Sequence, residues 1–328
     1  MAHSRALVAL SLLLAPASAW IAISPAEGSN VDVFNLDDSG ARGNDVLSFP
    51  LNAGEVIDPN AMACGRCFCL ILATNPQARS STLYNMSFCA WVDKPTLMSK
   101  LPIPGVAYNL HSGEGEGDGG NGVTLLIDHT KTPQTYNVVR VVGDAINRLV
   151  DISKFVDLFS GNIYPGGTAY CSETQTLWVA VTTQDPSHDT LLTVDLNKRA
   201  VVANISIVKP ALAAHFADCS SNSVGGFTIA TDATGVRSVQ LGMLSAKGQF
   251  NVLDSLALPK GSTLRLAGIA DYLHDPRWAA SEFGALLYSG PNFMGPGSVF
   301  VSSAKAKGPA TLNDLGPGAI AASISVEY

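Results

Sequence analysis

The feature that most constrains this chain is a rhythm. A short apolar burst bounded by Gly, Ser, Asn or Asp returns six times: WIAI at 20–23, FCLIL at 68–72, VTLLI at 123–127, LWVAV at 177–181, GFTIA at 226–230 and ALLY at 285–288. Such bursts, rich in β-branched and aromatic residues, read as strands. A second strand follows each after a polar turn: VDVFNLD at 31–37, LYNMSFCAWVD at 83–93, YNVVRVVG at 136–143, LLTVDL at 191–196, SVQLGML at 238–244 and SVFV at 298–301. Most of these alternate apolar and polar residues, the period of a strand with two different faces. A third strand ends each unit, at Leu51, Ile103, Ile152, Ile207, Leu258 and Leu312. These end points lie 52, 49, 55, 51 and 54 residues apart.

A repeat of about fifty residues, each a few short strands, has the period of a propeller blade. The fourth strand of each blade precedes its burst, in NAMAC at 60–64, GVAYNL at 105–110, GTAYC at 167–171, AAHFADC at 213–219 and LAGIADYL at 266–273. The first unit has none, and the C-terminus holds a spare strand, AIAASISV at 319–326. The expectation is an all-β, six-bladed β-propeller in one domain, 20–328, closed by pairing the N- and C-terminal strands, which removes open sheet edges. Stacked blades cover their central strands on both sides, so such strands read as continuous apolar runs. A seven-bladed ring is the alternative and needs an extra hairpin pair within 105–157. The one helical signal is INRLVDISKFVDLF at 146–159.

The chain is 47% hydrophobic and carries a net charge of −7, with no run of Lys and Arg, so nothing in it attracts nucleic acid. His3 and Arg5 precede an apolar run at 6–14 and then Ala17-Ser18-Ala19. That is the pattern of a secretory signal over 1–19 with the mature chain starting at Trp20. No later segment holds the ~18 consecutive apolar residues of a membrane helix. The expected location is outside the cell or in the secretory lumen, with extracellular protein or glycan as partner.

Six cysteines suit that route. Cys171 and Cys219 end the leading strands of neighbouring units, so a bridge between them would staple two blades. Cys69 and Cys89 fall on paired strands around a turn at 75–81, which suggests one bridge there and Cys64–Cys67 by elimination. The competing reading is a zinc site from Cys64, Cys67, Cys69 and Cys89. Sequons mark Asn85 and Asn204 as N-glycosylation candidates. HSGEGEGDGGNG at 111–122 alternates Glu114, Glu116 and Asp118 with glycine before Asn121. It reads as a solvated hairpin loop, with Ca²⁺ as the alternative occupant, although no glutamate closes an EF-hand spacing.

The stretch GGTAYCSETQTLWVAV…LLTVDLNKRAVVANISI resembles a blade of the secreted propeller superfamily that includes the NHL/YVTN-type, gluconolactonase/regucalcin-like and quinoprotein-like groups. The gluconolactonase-like resemblance implies a divalent metal on the propeller axis, held by a first-blade glutamate with Asn and Asp from other blades. Glu27, Asn109 and Asp271 are the candidates here. Glu27-Gly28 is followed by Ser29 and Asn30 rather than by that group's Pro-x-Trp. No adjacent cysteine pair marks a quinoprotein, and no hydrolase elbow, phosphate loop or zinc-protease motif occurs. Function is expected where the leading strands converge, near Tyr108, Asn109, Tyr170, His215, Asp271 and Tyr272; His274 also lies nearby. The leading hypothesis is a binding or structural module. The alternative is a metal-dependent hydrolase of lactonase type with Ca²⁺.

Overall fold

The computed structural model describes residues 18–25, 30–36, 42–64, 68–87, 96–112, 121–128, 130–158, 162–208, 214–275, 280–288, 296–302, 310–317 and 321–326. Among them the strands form six four-stranded antiparallel sheets in a β-propeller arrangement. The first sheet holds β1 (Ser18–Pro25), β2 (Asn30–Leu36) and β3 (Arg42–Pro50). The second holds β4 (Val56–Cys64), β5 (Phe68–Asn75), β6 (Ser80–Ser87) and β7 (Thr96–Ile103). The third holds β8 (Val106–Ser112), β9 (Asn121–Asp128), β10 (Thr135–Val142) and β11 (Ala145–Asp151), followed by helix α1 (Ser153–Leu158). The fourth holds β12 (Asn162–Cys171), β13 (Thr176–Thr182), β14 (His188–Asp195) and β15 (Ala200–Val208). The fifth holds β16 (Ala214–Asp218), β17 (Ser223–Thr231), β18 (Arg237–Leu244) and β19 (Phe250–Ala257). The sixth holds β20 (Arg265–Asp275), β21 (Ala280–Tyr288), β22 (Pro296–Ser302) and β23 (Thr311–Pro317). The last strand, β24 (Ala321–Val326), joins the first sheet beside β1, from Ser18 opposite Val326 to Ile23 opposite Ala321.

The packing explains why the bursts are apolar without interruption. On β13, Leu177, Val179 and Val181 join a cluster shared with the third sheet, whereas Trp178 and Ala180 join one shared with the fifth. On β9, Val123, Leu125 and Ile127 face the fourth sheet and Leu126 the second. The two-residue period of a strand thus divides each inner strand between two neighbours. Buried side chains of the described residues gather in four such clusters, one running through the first three sheets and three lying between adjacent sheets. The unit ends Ile103, Ile152, Ile207 and Leu258 are all buried, which accounts for their even spacing.

The leading strands touch in chain order: β4 with β8, β8 with β12, β12 with β16, β16 with β20, β20 with β24, and β24 with β4. Three of them, β4, β12 and β20, also approach one another. These three start at Val56, Asn162 and Arg265, 106 and 103 residues apart. Their pairing with the next strand breaks between Ile57 and Met62, Ile163 and Thr168, and Leu266 and Ala270. Two of the breaks carry the same Ile-x-Pro, at Ile57–Pro59 and Ile163–Pro165. Proline cannot donate to a ladder, so the pairing is interrupted there. The connection from β7 to β8 is only Pro104 and Gly105. Gly105 has φ +130°, and a Cβ there would stand 2.8 Å from the Ile127 carbonyl oxygen, so only glycine fits.

Several expectations are corrected. Cys69 bonds Cys64, its direct partner across β4 and β5, with Cα atoms 4.1 Å apart. In the β5–β6 register the residue opposite Cys69 is Met86, so Cys89 is out of line, and the proposed Cys69–Cys89 and Cys64–Cys67 bridges and the four-cysteine zinc site fall. Cys67 and Cys89 lie outside the described residues. Leu312 is not a unit end: it pairs with Phe300 inside β23, which runs on to Pro317. Residues 146–151 belong to β11, and only Ser153–Leu158 is helical. The stretch 105–157 holds β8 to β11 and the start of α1, with no extra hairpin pair among its described residues.

The Cys171–Cys219 bridge is present, with Cα atoms 5.3 Å apart, and it ties the fourth sheet to the fifth beside buried Trp178. A Cys171→Ser, Cys219→Ser double variant loses about 2–4 kcal/mol. Its urea midpoint should fall with little change in slope; an unchanged midpoint would show that the staple carries no stability.

Candidate functional site

One group of described polar side chains lies where β8 and β12 meet. In β8 the pairing with β9 shifts between Tyr108, opposite Leu125, and His111, opposite Val123, so the strand carries one extra residue. Asn109 sits in that bulge with φ 56°, in the left-handed region that asparagine tolerates better than most residues. It is buried. The Thr124 hydroxyl donates to the Tyr108 carbonyl at 2.6 Å and satisfies it there.

The bulge turns His111 toward β12. Its Nε2 lies 2.7 Å from the Thr168 hydroxyl, and its ring centre is 6.3 Å from that of Tyr170. Thr168 and Tyr170, two residues apart, share one face of β12. Burial pushes the His111 imidazole down to about 4, so it is neutral at physiological pH. A neutral ring has one donor and one acceptor nitrogen, and the Thr168 hydroxyl serves as partner to either. Tyr108, His111 and Tyr170 remain partly exposed. The cluster therefore holds aromatic faces, an imidazole and hydroxyl groups together, partly exposed.

Of the residues expected near the centre, Tyr108 and Tyr170 pack against the same cluster between the third and fourth sheets, and Asn109 is buried in the bulge next to Tyr108. His215 lies on β16 opposite Gly226, and Asp271 and Tyr272 lie on β20 opposite Gly284 and Phe283; His274 is on the same strand. Their side chains are outside the described set, as is Glu27 altogether. Glu114, Glu116 and Asp118 also fall outside the described residues. Among the described residues no three of His, Cys, Asp and Glu lie close enough to hold a metal ion. Likewise no helix among them is long and apolar enough to cross a membrane.

Sequence reasoning missed His111 and Thr168. The leading strand had been bounded at Leu110, one residue short of the histidine, and only the bulge reveals which way that side chain turns. It also missed Glu55, which accepts hydrogen bonds from Thr82 at 2.5 Å, Tyr84 at 2.5 Å, and the Asn52 amide nitrogen at 2.9 Å. Burial works to raise the Glu55 carboxyl, but these hydrogen bonds outweigh it and hold it below its ordinary value. Burial, with Glu55 as hydrogen-bond partner, pushes the Tyr84 hydroxyl above its usual range. Lys100 lies 4.9 Å over the Tyr84 ring. This network fastens the link between the first two sheets to β6. Its only local sequence sign is the Asn52-x-x-Glu55 spacing.

No protein-family model matches the chain, and no curated protein matches it. Solved structures match loosely. Oligogalacturonate lyase in complex with manganese is similar at TM-score 0.43 and 10% identity, over 90% of this chain and 74% of that one. Apo AztD from Citrobacter koseri gives 0.42 and 10%, over 95% and 99%. The Dos1 propeller gives 0.39 and 11%, over 88% and 66%. Likenesses this distant carry over no ligand and no activity.

The buried imidazole has a thermodynamic signature. Its folded value lies below the 6.5 of an unperturbed histidine, so above pH 6.5 neither state binds the proton. Between pH 6.5 and about 4 the unfolded chain binds it first, and stability falls with pH. The loss is at most about 3 kcal/mol, reduced because the ring keeps some solvent contact. Glu55, Asp128, Asp195 and Asp232 act below this window, since their carboxyls are held under the ordinary range. Denaturant midpoints for His111→Gln should flatten between pH 6.5 and 4 relative to the parent chain. Parallel curves would place the proton uptake elsewhere.

Proposed function

We propose that the chain is exported as a six-bladed propeller, closed where β24 pairs with β1, and that it serves as a binding module for glycan at the β8–β12 mouth. The signal segment over 1–19 would be removed, leaving Trp20–Ile23 to pair with Ala321–Ile324. Two disulfides, Cys64–Cys69 and Cys171–Cys219, are consistent with an oxidising compartment.

One observation carries the binding reading: the grouping of Tyr108, His111, Thr168 and Tyr170, with Asn109 buried beside it. Sugar rings offer apolar C–H faces and a fringe of hydroxyls. Aromatic rings take the faces, and amide, imidazole and hydroxyl groups take the fringe. A neutral imidazole costs less to desolvate than a charged one, which suits an uncharged ligand. The cluster also stands on paired strands joined by a hydrogen bond, so little ordering is needed when a ligand arrives.

A second reading, a metal-dependent hydrolase using Ca²⁺, draws on Asn109 alone. A buried amide on left-handed backbone is the kind of local strain found at functional positions. Glu27 and Asp271 would complete the set, so no step of that reaction is derived.

Two measurements separate the readings. Glycan-array screening and calorimetry on the oxidised mature chain should find a carbohydrate ligand, and Tyr108→Ala and Tyr170→Ala should each weaken it at least tenfold without lowering the melting temperature by more than a few degrees. A protein ligand in place of glycan, or a glycan bound equally by both variants, overturns the glycan site. A melting temperature that drops in EDTA and is restored by Ca²⁺ favours the hydrolase, and then Glu27→Ala and Asp271→Ala should abolish the response.

A further inference from the structure

The two sequons occupy very different places. Asn85 lies on β6, between Leu70 of β5 and Ser99 of β7, and is flanked by Tyr84 and Met86, both fully buried. Asn85 is itself half-buried on a strand paired on both sides, so a glycan on it would crowd β5 and β7. Asn204 lies on β15, the outermost strand of the fourth sheet, which pairs only with β14. Asn204 and Ser206 are both exposed, on one face of the strand.

β15 is also the one outer strand among those described that carries no charged residue. The other outer strands each carry charge: Arg42 and Asp45 on β3, Lys100 on β7, Arg148 and Asp151 on β11, Asp254 on β19, and Asp314 on β23. β15 reads AVVANISIV, with none. Charged residues are a common guard against edge-to-edge pairing of sheets. The turn between β18 and β19 covers one part of this edge: a Cβ on Gly248 would stand 2.9 Å from the Ser206 carbonyl carbon. Val202, Ala203 and Asn204 stay exposed in succession. The register shift of β15 falls beside them, since Thr193 pairs with Ala203 and Val194 with Val201.

We infer that Asn204 is an N-glycosylation site and that its glycan guards the open, uncharged segment 202–204 of the outer strand, while Asn85 stays unmodified. A hydrated glycan is bulky and solubilising, and blocks the approach of a second strand as a charge does elsewhere. Attachment occurs on the chain before folding is complete, so a glycan at Asn85 would oppose closure of the second sheet. The inference rests on the proposed export of the chain.

The test is to express the full chain in a eukaryotic secretory host and map glycopeptides of the exported protein. Asn204 should be occupied and Asn85 empty. Asn204→Gln and Ser206→Ala should each lose one glycan, and Asn85→Gln none. The two sequon variants, or the parent protein after enzymatic deglycosylation, should lose monomer to dimers and larger species on sizing columns. Occupancy at Asn85, or an empty Asn204 in exported protein with an intact Cys171–Cys219 bridge, overturns the site. Deglycosylated protein that stays monomeric overturns the guard role. Retention inside the host with free thiols at Cys171 and Cys219 overturns the export reading instead.

Discussion

Burial of the inner strands on both faces is the constraint from which the rest follows. A strand such as β13 places Leu177, Val179 and Val181 against one sheet and Trp178 and Ala180 against another. No single sheet can cover such a strand, so each needs a neighbour on either side. A linear stack would leave one uncovered apolar face at each end, which explains why arrays of this kind need caps or closure. Here the chain's last strand completes its first sheet, and β24 also packs on β4 of the next. Burying an apolar side chain of this size contributes about 1.5–3 kcal/mol, so leaving two faces open would be far more costly than aligning the chain's ends.

The strands were legible because their signal is local. Every burst, its partner and its leading strand fall within a residue or a few of the observed elements, since apolar runs between turn residues permit little else. What the sequence hid depends on register. Cys69 and Cys89 both lie near a recognised hairpin, yet a shift of three residues puts Met86 opposite Cys69 and leaves Cys64 as the partner from the other side. Leu312 resembles the other unit ends in residue type but sits inside β23, because the sixth unit is longer than the rest. Of the grouping around His111, Tyr108 and Tyr170 were found from strand position alone. His111 and Thr168 were not, because a bulge decides which face each shows and a single sequence carries no clear sign of it.

Bulges recur with a pattern that points to edge protection as a general need of this fold. Every outer strand pairs irregularly with its neighbour: β3 at Val33 and Phe34, β7 at Asn85, β11 at Val138, β15 at Thr193, β19 at Leu241 and β23 at Gly297. A propeller has as many exposed edges as it has sheets, since only the inner edges are hidden. A bulge twists the edge and removes the flat template a foreign strand would need. Charge on most of these strands acts in the same direction, which makes the composition of β15 the exception that asks for another device.

The centre shows a different use of the same irregularity. The long strands β4, β12 and β20 alternate with the shorter β8, β16 and β24, and each long strand leaves its ladder for several residues. His111 lies near the end of β8, and it meets β12 at Thr168, the residue at which that strand returns to its ladder. The interruption of β12 thus ends at the residue whose hydroxyl meets the imidazole. Altering the Ile163–Pro165 break should therefore disturb the site before it disturbs the sheet.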